Sequence, residues 1–125
     1  METINPVQRI GRKSLEKILD GAVQDSHLVM IKFYGADCYL CHGLAPIYKE
    51  LASSYEDVLF YAFNMQDDGG QWVEEKYGFE GTPSICLVQT EGVNTMVKFL
   101  KEPEKPDRET WYYKDDIIKF IERYR

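Results

Sequence analysis

The 125-residue chain lacks the features that would tie it to a nucleic acid, a bilayer or a disulfide scaffold. Fifteen Lys and Arg residues stand against 21 Asp and Glu, a formal net charge of −6. There is no basic surplus to neutralise a phosphate backbone or an anionic membrane surface. No apolar run approaches the roughly 20 residues that cross a bilayer. The opening METINPVQRIGRKSLEKILDG has no apolar core of the kind a secretory leader needs. These absences lead to the expectation of a cytoplasmic protein that binds neither nucleic acid nor membrane, although a trimmed secreted chain would read the same way. Three cysteines are too few for a disulfide framework. In a reducing compartment a close pair reads as reactive or metal-binding, with one cysteine left over. Internal repeats and low-complexity tracts are missing as well.

What is present fits one core. The length suits a single domain over residues 1–125, and 44% hydrophobic with 14% aromatic residues is enough to fill it. A monomer is expected. After an N-terminal extension of about 13 residues, SLEKILDGAV (14–23) places Leu15, Ile18, Leu19 and Ala22 at helical spacing, with Ser14 as N-cap. HLVMIKFY (27–34) reads as a buried strand. LCHGLAPIYKELASSY carries Leu40, Leu44, Ile47, Leu51 and Tyr55 at helical steps, with Pro46 inside as a kink. VLFYAFNM (58–65) is a second buried strand, and QWVEEKYG (71–78) a short helix that Gly78 ends. SICLVQ and TMVKFL flank TEGVN as a β-hairpin. The charged segment 101–110 is a solvated loop, with a docking element as its other reading. DDIIKFIERY then closes the chain as an amphipathic helix. Alternating strands and helices predict an α/β sandwich: a mixed sheet of four or five strands with helices on both faces. Whether residues 4–8 add an edge strand is open at this level.

The chemistry concentrates in GADCYLCHGLAP, residues 35–46. C-x-x-C followed by His42 matches a c-type haem attachment signal, a dithiol redox motif or half of a zinc site. Cys38 falls where a strand gives way to a helix. Unpaired N–H groups at a helix start stabilise a thiolate and lower a thiol pKa from about 8.5. That makes Cys38 the candidate nucleophile, with Cys41, one turn inward, as the candidate resolving thiol.

VMIKFYGADCYLCHGLAPIYKELA together with GFEGTPSICLV resembles the thioredoxin family, and the similarity spans about residues 14–124. The motif follows a buried strand, Pro46 lies five residues after Cys41, and Pro83 of GTPS lies 45 residues after Cys38. The resemblance implies a thioredoxin fold and a thiol–disulfide oxidoreductase acting on protein disulfides. It implies Cys38 as the attacking thiol, Cys41 as the resolving thiol and Pro83 as a cis-proline against the pair. Thr82 would offer backbone groups to an extended substrate, and Tyr39 would face the partner. A reductase or another dithiol protein would supply electrons, with no organic cofactor. Three positions depart from the family pattern, besides the Tyr39-Leu40 dipeptide that stands in place of Gly-Pro. Lys32 stands six residues before Cys38, where the family carries a buried acid, and the usual lysine opposite corresponds to Ala62. Asp37 replaces the usual Trp, and its charge opposes thiolate formation. Lys32 and Asp37 are therefore candidate redox-tuning residues, with a sheet-edge lysine reaching for solvent as the plain reading of Lys32.

Other readings weigh less. Covalent haem needs a helical framework and export, which the α/β order and the opening segment do not suggest. Zinc needs two further ligands; Cys86 and His27 are the only soft candidates, and Cys86 sits in an apolar strand as a core residue. Asp67-Asp68-Gly69-Gly70 is too short for a calcium loop of about 12 residues. No metal or cofactor is expected. Trp72 and Trp111 read as packing residues. The alternative to an enzyme is a partner-binding module with little turnover, motivated by Lys32.

Overall fold

A computed structural model describes residues 6–79 and 81–125. Among the described residues, five strands form one mixed sheet: β1 (Val7–Arg9), β2 (His27–Tyr34), β3 (Val58–Asn64), β4 (Ser84–Thr90) and β5 (Met96–Phe99), in the order β1-β3-β2-β4-β5. β1 and β2 run parallel to β3, whereas β4 is antiparallel to both β2 and β5. Four helices cover the faces: α1 (Arg12–Leu19), α2 (Tyr39–Ser54), α3 (Gln71–Tyr77) and α4 (Lys114–Tyr124).

The apolar run of β2 is explained by burial on both sides. Met30 packs with Leu44, Tyr48 and Leu51 of α2 and with Ile117 and Ile121 of α4. Val29, Ile31 and Phe33 face the opposite way, into a second cluster with Leu15 and Ile18 of α1 and Val73 of α3. A strand covered on two faces has no polar alternation to display. The edge strand left open by the sequence exists: β1 pairs with β3 from Val7↔Phe60 to Arg9↔Ala62. Residues 4 and 5 lie outside the described residues.

Helix α1 departs from expectation at both ends. It starts at Arg12 behind Gly11, not at Ser14, and it stops at Leu19. Gly21 adopts φ +80°, and the Ala22 N–H returns to the Lys17 carbonyl, a Schellman ending that the helical spacing of Ala22 conceals. Helix α2 continues through Pro46. Gly78, at φ +74°, ends α3 as its position suggests.

The 101–110 segment is the solvated loop expected, with none of its residues buried, and residues 100–113 are in addition tied back on themselves as a strap. Asp107 and Trp111 exchange both backbone hydrogen bonds at 3.0 Å. The Asp107 carboxylate accepts the N–H groups of Glu109 and Thr110, which holds it below the usual carboxylate range. The Tyr113 hydroxyl donates to the Lys105 carbonyl at 2.6 Å. The strap rests on α2 at Gly43, where an added Cβ would overlap the Glu109 carbonyl. Gly43→Ala is therefore expected to lower stability by about 1–3 kcal/mol, the usual range for overpacking. Urea unfolding measures this, and an unchanged midpoint would show that the strap does not press on α2.

Candidate active site

The site forms where three connections meet at one sheet end. β2 leaves the sheet at Tyr34 and β4, antiparallel to it, enters at Ser84, with Phe33 opposite Ser84. Gly35–Cys38 and Gly81–Pro83 are thereby side by side. β5 ends at this same end, with Phe99 opposite Cys86 and the Leu100 N–H bonded to the Ile85 carbonyl.

Cys38 is the N-cap of α2, and the Cys41 N–H donates to its sulfur at 3.1 Å. One orphan donor, the Cys41 N–H, and the N-terminal end of the helix dipole therefore both act on Cys38 Sγ. The two cysteines form a disulfide with Cα atoms 5.2 Å apart. Cys38 is partly exposed, whereas Cys41 is 3% exposed. The Thr82–Pro83 peptide bond is cis, Pro83 is buried, and the Thr82 carbonyl oxygen lies 3.7 Å from Cys38 Sγ. Tyr39 is 71% exposed beside the pair. Asp37 is exposed, and His42 Nε2 donates to the Ala36 carbonyl at 2.7 Å, closing the turn that leads into α2.

A family model described as Thioredoxin matches residues 13–107. The chain belongs to the thioredoxin family. Among curated thioredoxin relatives, Thioredoxin H4 of Arabidopsis thaliana is 29% identical over 85 residues, 67% of this chain and 71% of the relative. Protein disulfide isomerase-like 2-1 of Oryza sativa subsp. japonica is 33% identical over 96 residues, which are 74% of this chain but only 23% of that protein. The chain thus spans about a quarter of the length of this relative. Among solved structures, the Trichomonas vaginalis thioredoxin superposes with a TM-score of 0.69 at 21% identity, covering 98% of this chain and all of that one. Spinach chloroplast thioredoxin f, long form, gives 0.68 at 19% identity, over 94% and 84% of the two chains. The thioredoxin fold carrying a Cys38–Cys41 pair is a framework for thiol–disulfide chemistry in general.

The third cysteine stays out of the site. Cys86 is buried in β4 on the α1/α3 face, and burial pushes its thiol far above the ordinary value, so it remains protonated at neutral pH. His27 begins β2 at the end of the sheet away from the dithiol.

Lys32 is the unexpected group. Its side chain is 7% exposed on the α2 face of β2, next to Ala62 of β3. Nζ lies 5.0 Å from the Tyr48 ring centre and 5.6 Å from that of Tyr34, so the ammonium meets aromatic faces and, among the described residues, no carboxylate. The cavity it lines, about 310 Å³, also contains Arg9 and Lys49. The plain reading of a sheet-edge lysine in solvent is thus replaced by a lysine enclosed between sheet and α2.

Two features escaped the sequence reading: the contact of the strap with Gly43, and a groove that runs from Leu40 and Pro83 to Trp111. The only signals were a β5–α4 connection long for its surroundings and its WYY ending.

Burial lowers the Lys32 pKa from 10.5 to about 8. The folded state therefore sheds this proton before the unfolded chain does. The charged lysine costs stability at neutral pH, and the cost is released as pH rises from about 8 towards 10.5. The gap is worth about 3 kcal/mol at most. Lys32→Met is expected to raise the unfolding free energy at pH 7 by about 1–3 kcal/mol, in line with replacing buried charge by an apolar group. The advantage should shrink by pH 10, and urea melts at both pH values check it.

Proposed function

We propose that the protein is a thiol–disulfide oxidoreductase that reduces protein disulfides through Cys38 and Cys41. The observation that carries this is the asymmetry of the pair: Cys38 partly exposed at the start of α2, Cys41 buried one turn behind it. In the reduced protein the Cys38 thiolate attacks one sulfur of a substrate disulfide. The substrate S–S bond breaks, and the departing thiolate takes its electron pair and a proton. Cys41, deprotonated, then attacks Cys38 Sγ, closes the disulfide and releases the second substrate thiol. The dithiol loses two electrons and the substrate gains them.

In this reading Thr82 and Pro83 hold an extended substrate segment beside Cys38, with Tyr39 on the same surface. The Thr82 carbonyl near Cys38 Sγ supports that placement. A reductase or another dithiol protein returns the electrons. Thioredoxin f2, a structural relative at 21% identity, is solved in complex with ferredoxin:thioredoxin reductase. Asp37 opposes the Cys38 thiolate from the adjacent position, and Lys32, with its lowered pKa, takes part in the protonation of Cys41 as an amine that is neutral in a fraction of molecules near pH 8.

Insulin reduction by dithiothreitol tests the reading. Wild type is expected to accelerate precipitation well above Cys38→Ser, and equal slow rates for the two proteins would favour the partner-binding module instead. That second reading rests on Lys32 standing, among the described residues, without a carboxylate partner. For the lysine itself, Lys32→Asp is expected to move the pH profile of the resolving step towards lower pH, followed by quenched single-turnover kinetics.

A further inference from the structure

A groove of about 620 Å³ opens directly from the dithiol. It begins at Leu40, inside the Cys38–Cys41 turn, and at Thr82–Pro83, and its far wall is Trp111 on the strap. Its floor is aromatic: the rings of Phe79 and Phe99 stack with centres 4.9 Å apart. The one acid in the wall, Glu102, is occupied by two donors, the indole N–H of Trp111 and the Tyr112 hydroxyl. Both donors are neutral, so Glu102 keeps its charge at the exposed rim, and the uncharged part of the groove is the Phe79–Phe99 floor and the Trp111 face. Lys101, exposed and without an ion pair among the described residues, is the one cation there.

The wall is also held in place. Trp111 adopts φ +63°, a left-handed conformation that a large side chain keeps only when its surroundings impose it. The paired backbone bonds with Asp107, the bond to Glu102 and the seat on Gly43 supply those surroundings. A wall ordered before binding loses little entropy when a ligand arrives.

We propose that Trp111 is a specificity-determining residue. It makes the groove a receptacle for an apolar side chain, aromatic or branched aliphatic, next to the reacting cysteine of a protein disulfide. This rests on the oxidoreductase reading and adds a substrate class to it. A polypeptide whose sulfur is bonded to Cys38 Sγ and whose backbone lies along Thr82 carries its neighbouring residue over this groove. An apolar side chain there leaves water for the Phe79–Phe99 floor and the Trp111 face. An acidic neighbour would gain nothing from the apolar floor and would meet the Glu102 carboxylate, with only the solvent-exposed Lys101 to offset it.

The test uses hexapeptides with one cysteine flanked on both sides by Phe, Leu, Gly or Asp, each as a mixed disulfide with thionitrobenzoate. The reduced protein attacks the peptide sulfur and expels the coloured thionitrobenzoate anion. Cys41 then closes the protein disulfide and frees the peptide thiol. We expect second-order rate constants about tenfold higher for the Phe and Leu peptides than for Gly, with Asp slowest. Trp111→Ala should bring the Phe-to-Gly ratio within about twofold, and Trp111→Phe should keep most of it. Without any change at position 111, Cys41→Ser trapped with the Phe peptide should shift the Trp111 indole N–H resonance and leave that of Trp72 in place. Equal rates for all four peptides, or an unmoved Trp111 resonance in the trapped complex, would overturn the receptacle and leave the oxidoreductase reading standing. Release no faster than with Cys38→Ser from every peptide would overturn both.

Discussion

The antiparallel register of β4 against β2 is the constraint from which the rest of the site follows. With Phe33 opposite Ser84, the exit of one strand lies beside the entrance of the other. Cys38 and Pro83 are far apart in the chain and neighbours in space for this reason alone. The pairing of β5 with β4 adds the third connection at the same end, because Phe99 returns opposite Cys86. One sheet edge thus collects a helix N-terminus, a cis-proline and a strap, each supplied by a different part of the chain. Ladder hydrogen bonds and two buried faces hold that register. A slip of one residue would turn Phe33 and Met30 to the wrong sides of the sheet.

Burial does opposite things to the titratable groups along β2, β4 and α2. Cys86, on the α1/α3 face, is raised until it is inert. Lys32, on the other face, is lowered to about 8 and keeps some charge at the cost of stability. Cys38, partly exposed at the head of α2, receives N–H groups rather than apolar side chains. Three groups are thus sorted by which face they occupy and how far from the sheet end they sit. A buried lysine that meets aromatic rings and, among the described residues, no carboxylate destabilises the fold while it is charged.

Much of this was legible in the residues. The continuous apolar run of β2 required cover on both faces, and it has it. The Cys38–Cys41 spacing on a strand-to-helix junction required the pair to share the first turn of α2, and it does. Pro83 before an apolar strand resembled the family's cis-proline, and the bond is cis. The misreadings have local causes. Ala22 continues the helical period of α1, but Gly21 ends the helix by a backbone conformation that periodicity does not register. The 101–110 segment is the solvated loop its composition suggests, but its internal ties are not legible there. Composition does not reveal that Asp107 caps its own turn or that Tyr113 and Trp111 bind back onto it.

The sequence by itself determined the order of elements from α1 onward, the faces of the helices and the identity of the reactive pair. These depend on periodicity and on short spacings within a single element or turn. Only the tertiary structure decided that Lys32 is enclosed against Tyr48, that Gly43 seats the strap and that Trp111 completes a groove beginning at Pro83. Each of those contacts joins residues distant in the chain. It exists because strand register and helix packing bring them together, and no local pattern encodes that distance.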